Sequence, residues 1–229
     1  MSAEVDEQAV VAAALPQLPI FPLPSSALIP GGHLPLHIFE PRYRRMIEDV
    51  LAGSRVLAVA LLAPGWEAEY QGRPPVFSIV GAGYVQAAER LPDGRYNILL
   101  HGVTRARIVD ELEATRPYRI VRAEAVPDVV QPRERPILDA QSQTLRQLVV
   151  DLAAALPDNA AVPLAEACVR ERDAGRLADL VGAAVLVDHR QRQEFLEEFS
   201  VAKRLDLVSD TVAQVLLQVS GGAGGGFLM

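Results

Sequence analysis

A group of charged side chains adjoins a histidine in the stretch LPLHIFEPRYRRMIEDVL, residues 34 to 51. Carboxylates at Glu40 and Asp49 have the residue type of a general acid and base. The same stretch also contains His37 and three arginines, Arg42, Arg44 and Arg45. However, the chain has 29 carboxylates, so such pairs also arise by chance. The cluster is therefore either a site that does chemistry or a structural joint.

The pattern of apolar residues favours the joint. Up to Glu40 the chain is apolar and interrupted by Pro35, and from Pro41 apolar residues recur with the spacing of an amphipathic helix. Proline suits a first helical turn because its missing N–H would have no partner there. We expect a strand followed by a helix from Pro41 to about residue 52, with Glu40 and Arg42 hydrogen-bonded at the junction.

Motifs for other chemistry are absent or incomplete. Lys203 is the only lysine and follows no glycine-rich loop, so a phosphate-binding loop of the G-x-x-x-x-G-K-[ST] type is excluded. His33 and His37 have a helical metal-ligand spacing, but Pro35 between them predicts extended chain, in which that spacing loses its meaning. We predict no catalytic residue, no metal site and no cofactor.

Charge and composition restrict the partners. The net charge is −7 and the pI is about 5.2, which disfavours broad attraction to nucleic acids or anionic membranes. Cys168 is the only cysteine, so an intramolecular disulfide is excluded. The chain contains no apolar run of bilayer length, and its acidic N-terminus is a poor secretory signal. We expect a cytoplasmic protein without membrane contact.

The hydrophobic periodicity divides the chain into an N-terminal β part and a C-terminal helical part. The run VLAVALL, residues 56 to 62, predicts a strand buried on both faces. Asp93 and Gly94 predict a hairpin, and glycines inside the flanking runs indicate bulges that curl a sheet. The expected segments are a flexible arm (1–14), a β-barrel domain (15–127), a connector (128–136), a helical domain (137–219) and a disordered Gly-rich tail (220–229).

Three segments together resemble a known family. LPIFPLPSSALIPGGHLPLHIFEPRYRRMI (18 to 47) is similar to the opening of the Lon protease N-terminal, or LON substrate-binding, domain in its free-standing bacterial form, which lacks the ATPase and peptidase domains. FSIVGAGYVQAAERLPDGRYNILLHGVTRARI (77 to 108) and RLADLVGAAVLVDHRQRQEFLEEFSVAKRL (176 to 205) continue the likeness in the same order. The signature positions are Pro30, Gly31, Glu40, Arg42, Gly81, Asp93, Gly94, Gly102 and Arg105.

The resemblance implies an α+β fold, with a PUA-like, partly closed β-barrel followed by a C-terminal helical bundle. In Lon this region helps to recognise unfolded or damaged polypeptides, and it supplies no catalytic residues. The implied role is that of a non-enzymatic polypeptide-binding module, an adaptor in protein quality control that acts with a separate protease. The sequence sets no oligomeric state.

Aromatic residues are the candidates for peptide contacts. Trp66 and Tyr70 lie in a polar loop, which favours exposure, whereas Phe21, Phe39 and Tyr43 are either a binding face or core. An RNA-binding role is the alternative function, because PUA-like barrels include RNA readers and two alternate strand arginines, Arg105 and Arg107, could share a face. A solvated, acid-paired face is the simpler interpretation of those arginines.

Overall fold

The computed structural model describes residues 5–69, 72–113 and 115–220. Its contacts divide the chain into two compact units. Unit 1 contains the chain up to Pro127 together with His189–Glu197, and unit 2 contains Asp128–Asp188 and the chain from Glu198 onward.

Among the described residues, unit 1 contains six strands and three α-helices. The strands are β1 (Leu18–Leu23), β2 (His33–Ile38), β3 (Val56–Leu61), β4 (Ile79–Arg90), β5 (Tyr96–Glu111) and β6 (Ile120–Ala125). The helices are α1 (Glu7–Ala14), α2 (Pro41–Ala52) and α6 (His189–Glu197). Unit 2 is helical, with α3 (Arg135–Ala155), α4 (Val162–Arg170), α5 (Ala174–Val185) and α7 (Val201–Ser220).

The six strands form one sheet in the order β2-β5-β4-β3-β1-β6, in which β6 also pairs with the C-terminal half of β5. Because β6 contacts both β1 and β5, strands β1, β3, β4, β5 and β6 form a ring, and β2 lies outside it against the N-terminal half of β5. The predicted partly closed barrel followed by helices is confirmed, although β2 keeps the sheet from being a simple barrel.

The core lies on both faces of β3. All six residues of this strand are buried, with Leu57 and Val59 in the cluster that includes α2, and Val56, Ala58 and Ala60 in the cluster that includes α1. This agrees with the two-sided burial expected of the VLAVALL run. Strand β3 pairs in parallel with β1 and antiparallel with β4.

The first described residues form a helix, whereas the sequence predicted a flexible arm. The Asp6 side chain caps α1 by accepting from the Ala9 N–H at 3.1 Å. Val11 has no exposed surface and lies in the core, with Val10 and Ala14 packed against the same cluster. Glu7 contacts His101 of β5, so apolar burial and a polar contact both hold this segment. Sequence reasoning missed it because the apolar residues between 9 and 15 gave no clear periodicity.

Glycines in β4 and β5 allow a loop to cross the sheet closely. A Cβ atom at Gly81 would overlap the backbone of Leu28, and one at Gly102 would overlap the backbone of Ile29. The Gly31 N–H donates to the Gly102 carbonyl at 2.7 Å. The register shifts between Ala82 and Gly83, as expected of a bulge, but close approach of the loop is the stronger requirement for glycine here.

Helix α6 belongs to unit 1, although the sequence placed it in a helical domain of residues 137–219. Arg105 of β5, only 3% exposed, donates from Nε to the Leu196 carbonyl at 3.1 Å. The Gln193 Nε2 donates to the Ile79 carbonyl at 3.0 Å. These contacts are long-range in sequence, so helical periodicity gave no sign of them.

Unit 2 is organised around α3 and α7, with a buried arginine in its interior. Arg204 of α7 has no exposed surface and pairs with Asp179 of α5 and, at 2.5 Å, with Asp128. Part of the predicted connector (128–136) is structured, since Val129 bridges to Ser200 in parallel. Helix α7 ends at Ser220, and the rest of the predicted Gly-rich tail lies outside the described residues.

Candidate functional site

The charged group at the β2–α2 junction separates into independent contacts. Glu40 accepts from the Arg42 Nε at 3.0 Å directly at the start of α2, while Arg45 pairs with Asp49 at 3.0 Å. The Arg44 side chain lies next to Gly94 in the β4–β5 hairpin. Because these side chains point to different partners, they form a structural joint and not one reaction centre.

The hairpin turn uses its signature residues as the sequence suggested. Gly94 has a φ of 82°, a conformation that favours glycine. Asp93 accepts from the Arg95 backbone N–H at 3.0 Å. This backbone hydrogen bond, with the charges of Arg95 and Arg44, lowers the pKa of the Asp93 carboxyl from its ordinary value.

The five aromatic candidates for peptide binding are placed very differently. Phe21 is a core residue at 6% exposure, and its ring packs edge-on to that of Tyr43 with 4.5 Å between centroids. Trp66 is half-buried in a short 3₁₀ helix, Trp66–Glu69. Tyr70 lies outside the described residues. Phe39 is 61% exposed and is the most accessible of the four described candidates.

Phe39 continues a row of exposed residues along β2. Every second residue from His33 to Phe39 is exposed, whereas Leu34 and Leu36 turn toward the core cluster. We call this row the edge stripe: His33, Pro35, His37 and Phe39. Its rings include a stacked pair, His37 and Phe39, with 6.3 Å between centroids. Strand β2 is terminal in the sheet order, so the stripe lies on an edge strand.

Hydrogen bonds hold the His37 ring in place. Its Nδ1 lies 2.7 Å from the Asn97 Oδ1, and its Nε2 lies 3.1 Å from an Arg95 guanidinium nitrogen. Because an arginine N–H can only donate, Nε2 is the acceptor and Nδ1 carries the proton. The His37 ring is thus held by two hydrogen bonds beside the exposed Phe39 ring.

A second surface feature is a small cleft of about 120 Å³ in unit 1, which we call the arginine cleft. It is formed by β1, the start of α2, the loop before β4 and the loop before β6. Its lining residues are Pro22, Arg42, Tyr43, Gly72, Arg73, Pro74, Arg116, Pro117, Tyr118 and Arg119. Sequence reasoning missed this cleft, although two loop segments, RPP at 73–75 and RPYR at 116–119, repeat an arginine beside proline.

Carboxylates behind the cleft hold its arginines. Glu111 binds Arg119 through two hydrogen bonds of 3.0 and 2.9 Å. Asp49 accepts from Arg116 at 2.9 Å and from the Tyr118 hydroxyl at 2.8 Å. Burial, together with the hydrogen bond to Asp49, raises the pKa of Tyr118 to about 12, so its hydroxyl remains a donor at neutral pH.

The surface expected for the alternative RNA-binding role does not form. Arg105 is buried against α6, with its guanidinium 5.7 Å from the centre of the Phe195 ring, whereas Arg107 is exposed. The two arginines therefore do not present a common face to solvent.

The described residues form neither a metal-binding cluster nor a membrane-spanning helix. Within residues 5–69, 72–113 and 115–220, no group of three or more His, Cys, Asp or Glu side chains is arranged to hold a metal ion. Over the same ranges, no helix combines the length and apolar character needed to cross a bilayer.

Residues 17–214 match the family described as the ATP-dependent protease La (LON) substrate-binding domain. The chain belongs to the LON substrate-binding domain family. The match includes parts of both units, so the family likeness extends beyond the sheet to the helices.

Relatives of this LON-domain chain are much longer proteins. It is 30% identical over 215 residues to Lon protease 2 of Herpetosiphon aurantiacus, covering 92% of the chain and 25% of that protein. It is 31% identical over 193 residues to Lon protease of Anaeromyxobacter dehalogenans, covering 83% of the chain and 22% of that protein. The chain thus spans about a quarter of these relatives.

Solved structures show the same fold. The N-terminal domain of the Mycobacterium avium complex Lon protease has a TM-score of 0.66 at 22% identity, covering 86% of this chain and 98% of that one. A Lon N-terminal domain protein from Xanthomonas campestris has a TM-score of 0.55 at 19% identity, covering 84% and 96%. These structures support the LON-domain architecture described above.

Proposed function

We propose that this chain binds unfolded or damaged polypeptides without hydrolysing them and passes them, as an adaptor in protein quality control, to a separate protease. The observation that carries the proposal is the exposed edge stripe in a member of a substrate-binding domain family. Phe39 offers an exposed apolar ring. An unfolded segment has many exposed apolar side chains that can pack on this ring, whereas a folded protein buries most of its large apolar side chains.

The geometry of β2 favours capture by side chains over capture by the backbone. Pro35 has no N–H, so it removes a donor from the middle of the edge strand and weakens pairing with an incoming strand. The Phe39 ring lies just beyond the end of β2, next to the fixed His37 ring. A bound segment would place an apolar side chain against these two rings.

The test compares a labelled, permanently unfolded polypeptide with its folded counterpart by fluorescence anisotropy. Only the unfolded form is expected to bind, and Phe39→Ser is expected to weaken binding about tenfold, from the usual worth of covering one large apolar side chain. Val109→Ser is the matched control, because Val109 is an exposed apolar residue of unit 1 outside the edge stripe.

Two results would refute the proposal. One is equal binding of folded and unfolded forms, and the other is equal loss of binding in the Phe39 and Val109 variants. A pull-down with nuclease treatment adds a further check, since recovery that depends on RNA would support the alternative function. Recovery of protease subunits independent of nuclease would support the adaptor role.

A further inference from the structure

The arginine cleft concentrates positive charge on a negatively charged protein. Four of its lining residues are arginines, and no acidic residue is among the described lining residues, although the whole chain carries −7. The carboxylates that pair with these arginines, Glu40, Asp49 and Glu111, lie outside the lining. The cleft thus presents guanidinium groups toward any ligand, which is the arrangement that recognises an anion.

Arg42 has a fixed guanidinium group whose outer nitrogens can donate hydrogen bonds to a ligand. Its Nε is occupied by Glu40 at 3.0 Å, and its guanidinium stacks 4.6 Å from the centre of the Tyr43 ring. Its two terminal nitrogens have no hydrogen-bond partner among the described residues. A planar guanidinium fixed through its inner nitrogen and its face offers these outer nitrogens as a fork that fits two carboxylate oxygens.

The other arginines differ in exposure. Arg119 is only 16% exposed, and it also donates to the Pro74 carbonyl at 2.7 Å, so it forms a rigid wall. Arg73 and Arg116 are 51% and 46% exposed and each contacts one carboxylate. A ligand can therefore meet the guanidinium of Arg42 and two more exposed guanidinium groups, at Arg73 and Arg116.

The cleft also has an apolar side and a restricted size. Three prolines and two tyrosine rings line it, at Pro22, Pro74, Pro117, Tyr43 and Tyr118. Its volume of about 120 Å³ compares with the ~30 Å³ occupied by one water molecule in the liquid. This is room for the end of one residue, and it is well below the roughly 300 Å³ at which drug-sized ligand pockets begin.

We propose that the arginine cleft binds the C-terminal residue of a polypeptide. The α-carboxylate pairs with Arg42 and the exposed Arg116, and the apolar side chain of the same residue packs against the proline and tyrosine rings. This combination of an anion with an adjacent apolar group matches both sides of the cleft. The inference rests on the proposed polypeptide-binding function and adds to it a preference for free chain ends.

The test uses a short labelled peptide ending in leucine, prepared with a free carboxylate, with a C-terminal amide, and with the amide plus an internal glutamate. Anisotropy is measured for the wild-type chain and for Arg42→Gln, Arg42→Lys and Arg116→Gln. Arg122→Gln is the matched control, since Arg122 is 52% exposed in unit 1, pairs with Asp110 at 2.6 Å and does not line the cleft. Thermal melting of each variant establishes that it folds.

The free-carboxylate peptide is expected to bind about tenfold more tightly than the amide, from the usual worth of a hydrogen bond between charged groups. Arg42→Gln is expected to abolish this preference, Arg42→Lys to restore part of it, and Arg122→Gln to leave it intact. Added salt should reduce the preference, because the arginines that provide it are partly exposed.

Several outcomes would overturn the inference. Equal binding of acid and amide, or a preference that survives both Arg42→Gln and Arg116→Gln, would remove the cleft from peptide recognition while leaving capture at Phe39 intact. If the internal glutamate restores tight binding to the amide peptide, the cleft is a site for acidic side chains and not for chain ends. Displacement of the peptide by single-stranded RNA would indicate a nucleic acid site. Failure to bind any peptide or unfolded protein would refute the proposed function as well.

Discussion

Replacing Asp179 by alanine should strongly destabilise unit 2. The Asp179 side chain is 7% exposed and contacts the guanidinium of Arg204, which has no exposed surface. Asp128, the second partner of Arg204, is 36% exposed, so solvent partly screens its charge. Asp179→Ala therefore leaves a buried cation without its buried counter-charge, and this costs more than the lost hydrogen bond alone.

The expected loss is about 3 to 5 kcal/mol in the free energy of unfolding, the range for removing one partner of a buried pair. The physical cause can be separated from simple loss of packing with the double variant Asp179→Leu/Arg204→Met. Because that variant replaces both charges by apolar side chains of similar volume, it should recover most of the lost stability. Asp128 does not prevent this recovery, since it remains in contact with solvent.

The measurement is urea unfolding followed by circular dichroism at 222 nm, which reports helices, and most described helical residues belong to unit 2. The midpoint should fall for Asp179→Ala and return toward the wild-type value in the double variant. Asp151→Ala is the control, because Asp151 is an exposed residue of α3 that contacts only Gln147 across its own helix among the described residues. A loss below about 1 kcal/mol, or a double variant as unstable as the single, would refute the reasoning.

Ile47→Ala should cost about 2 to 5 kcal/mol, because Ile47 has no exposed surface in the α2 core, and an unchanged urea midpoint would contradict this. Gly81→Ala should cost about 1 to 3 kcal/mol, since its Cβ would overlap the Leu28 backbone; a stability equal to wild type would show that the loop moves freely. Burial raises the pKa of Cys168 to about 11, so at pH 8 the thiol is protonated. A disulfide reagent at pH 8 should therefore label it rapidly only in denaturant, and fast labelling of the native chain would count against this burial.

The strands and helices with strong local signals could be predicted accurately. The helix expected from Pro41 to about residue 52 forms at Pro41–Ala52, where proline begins the helix and Gly53 follows it. The hairpin at Asp93 and Gly94 forms as predicted. Gly94 has a φ of 82°, a conformation that favours glycine, so the residue type alone indicates the turn. Strand β5 continues from Tyr96 to Glu111 through Gly102, since pairing with β4 extends across the bulges.

The candidate site was less predictable. Phe21, Phe39 and Tyr43 are all aromatic residues near the start of the chain, yet only Phe39 is strongly exposed. The difference comes from their places in the fold, since Phe21 and Tyr43 lie between the sheet and α2 while Phe39 follows an edge strand. The same applies to Arg105, which looked like a surface arginine until α6 was seen to cover it.

Periodicity and turn residues were sufficient for the order of the strands and helices with strong local patterns, whereas the family and its fold class came from the resemblance of three segments. The local patterns act over a few residues, so one chain carries them without reference to the rest of the structure. Three features could be recognised only from the tertiary structure, because each depends on residues distant in sequence. They are the burial of Arg204, the packing of α6 against the sheet and the arginine cleft. The cleft brings together residues as distant in sequence as Pro22 and Arg119. The proposed anion site therefore forms only when the chain folds and these segments lie side by side.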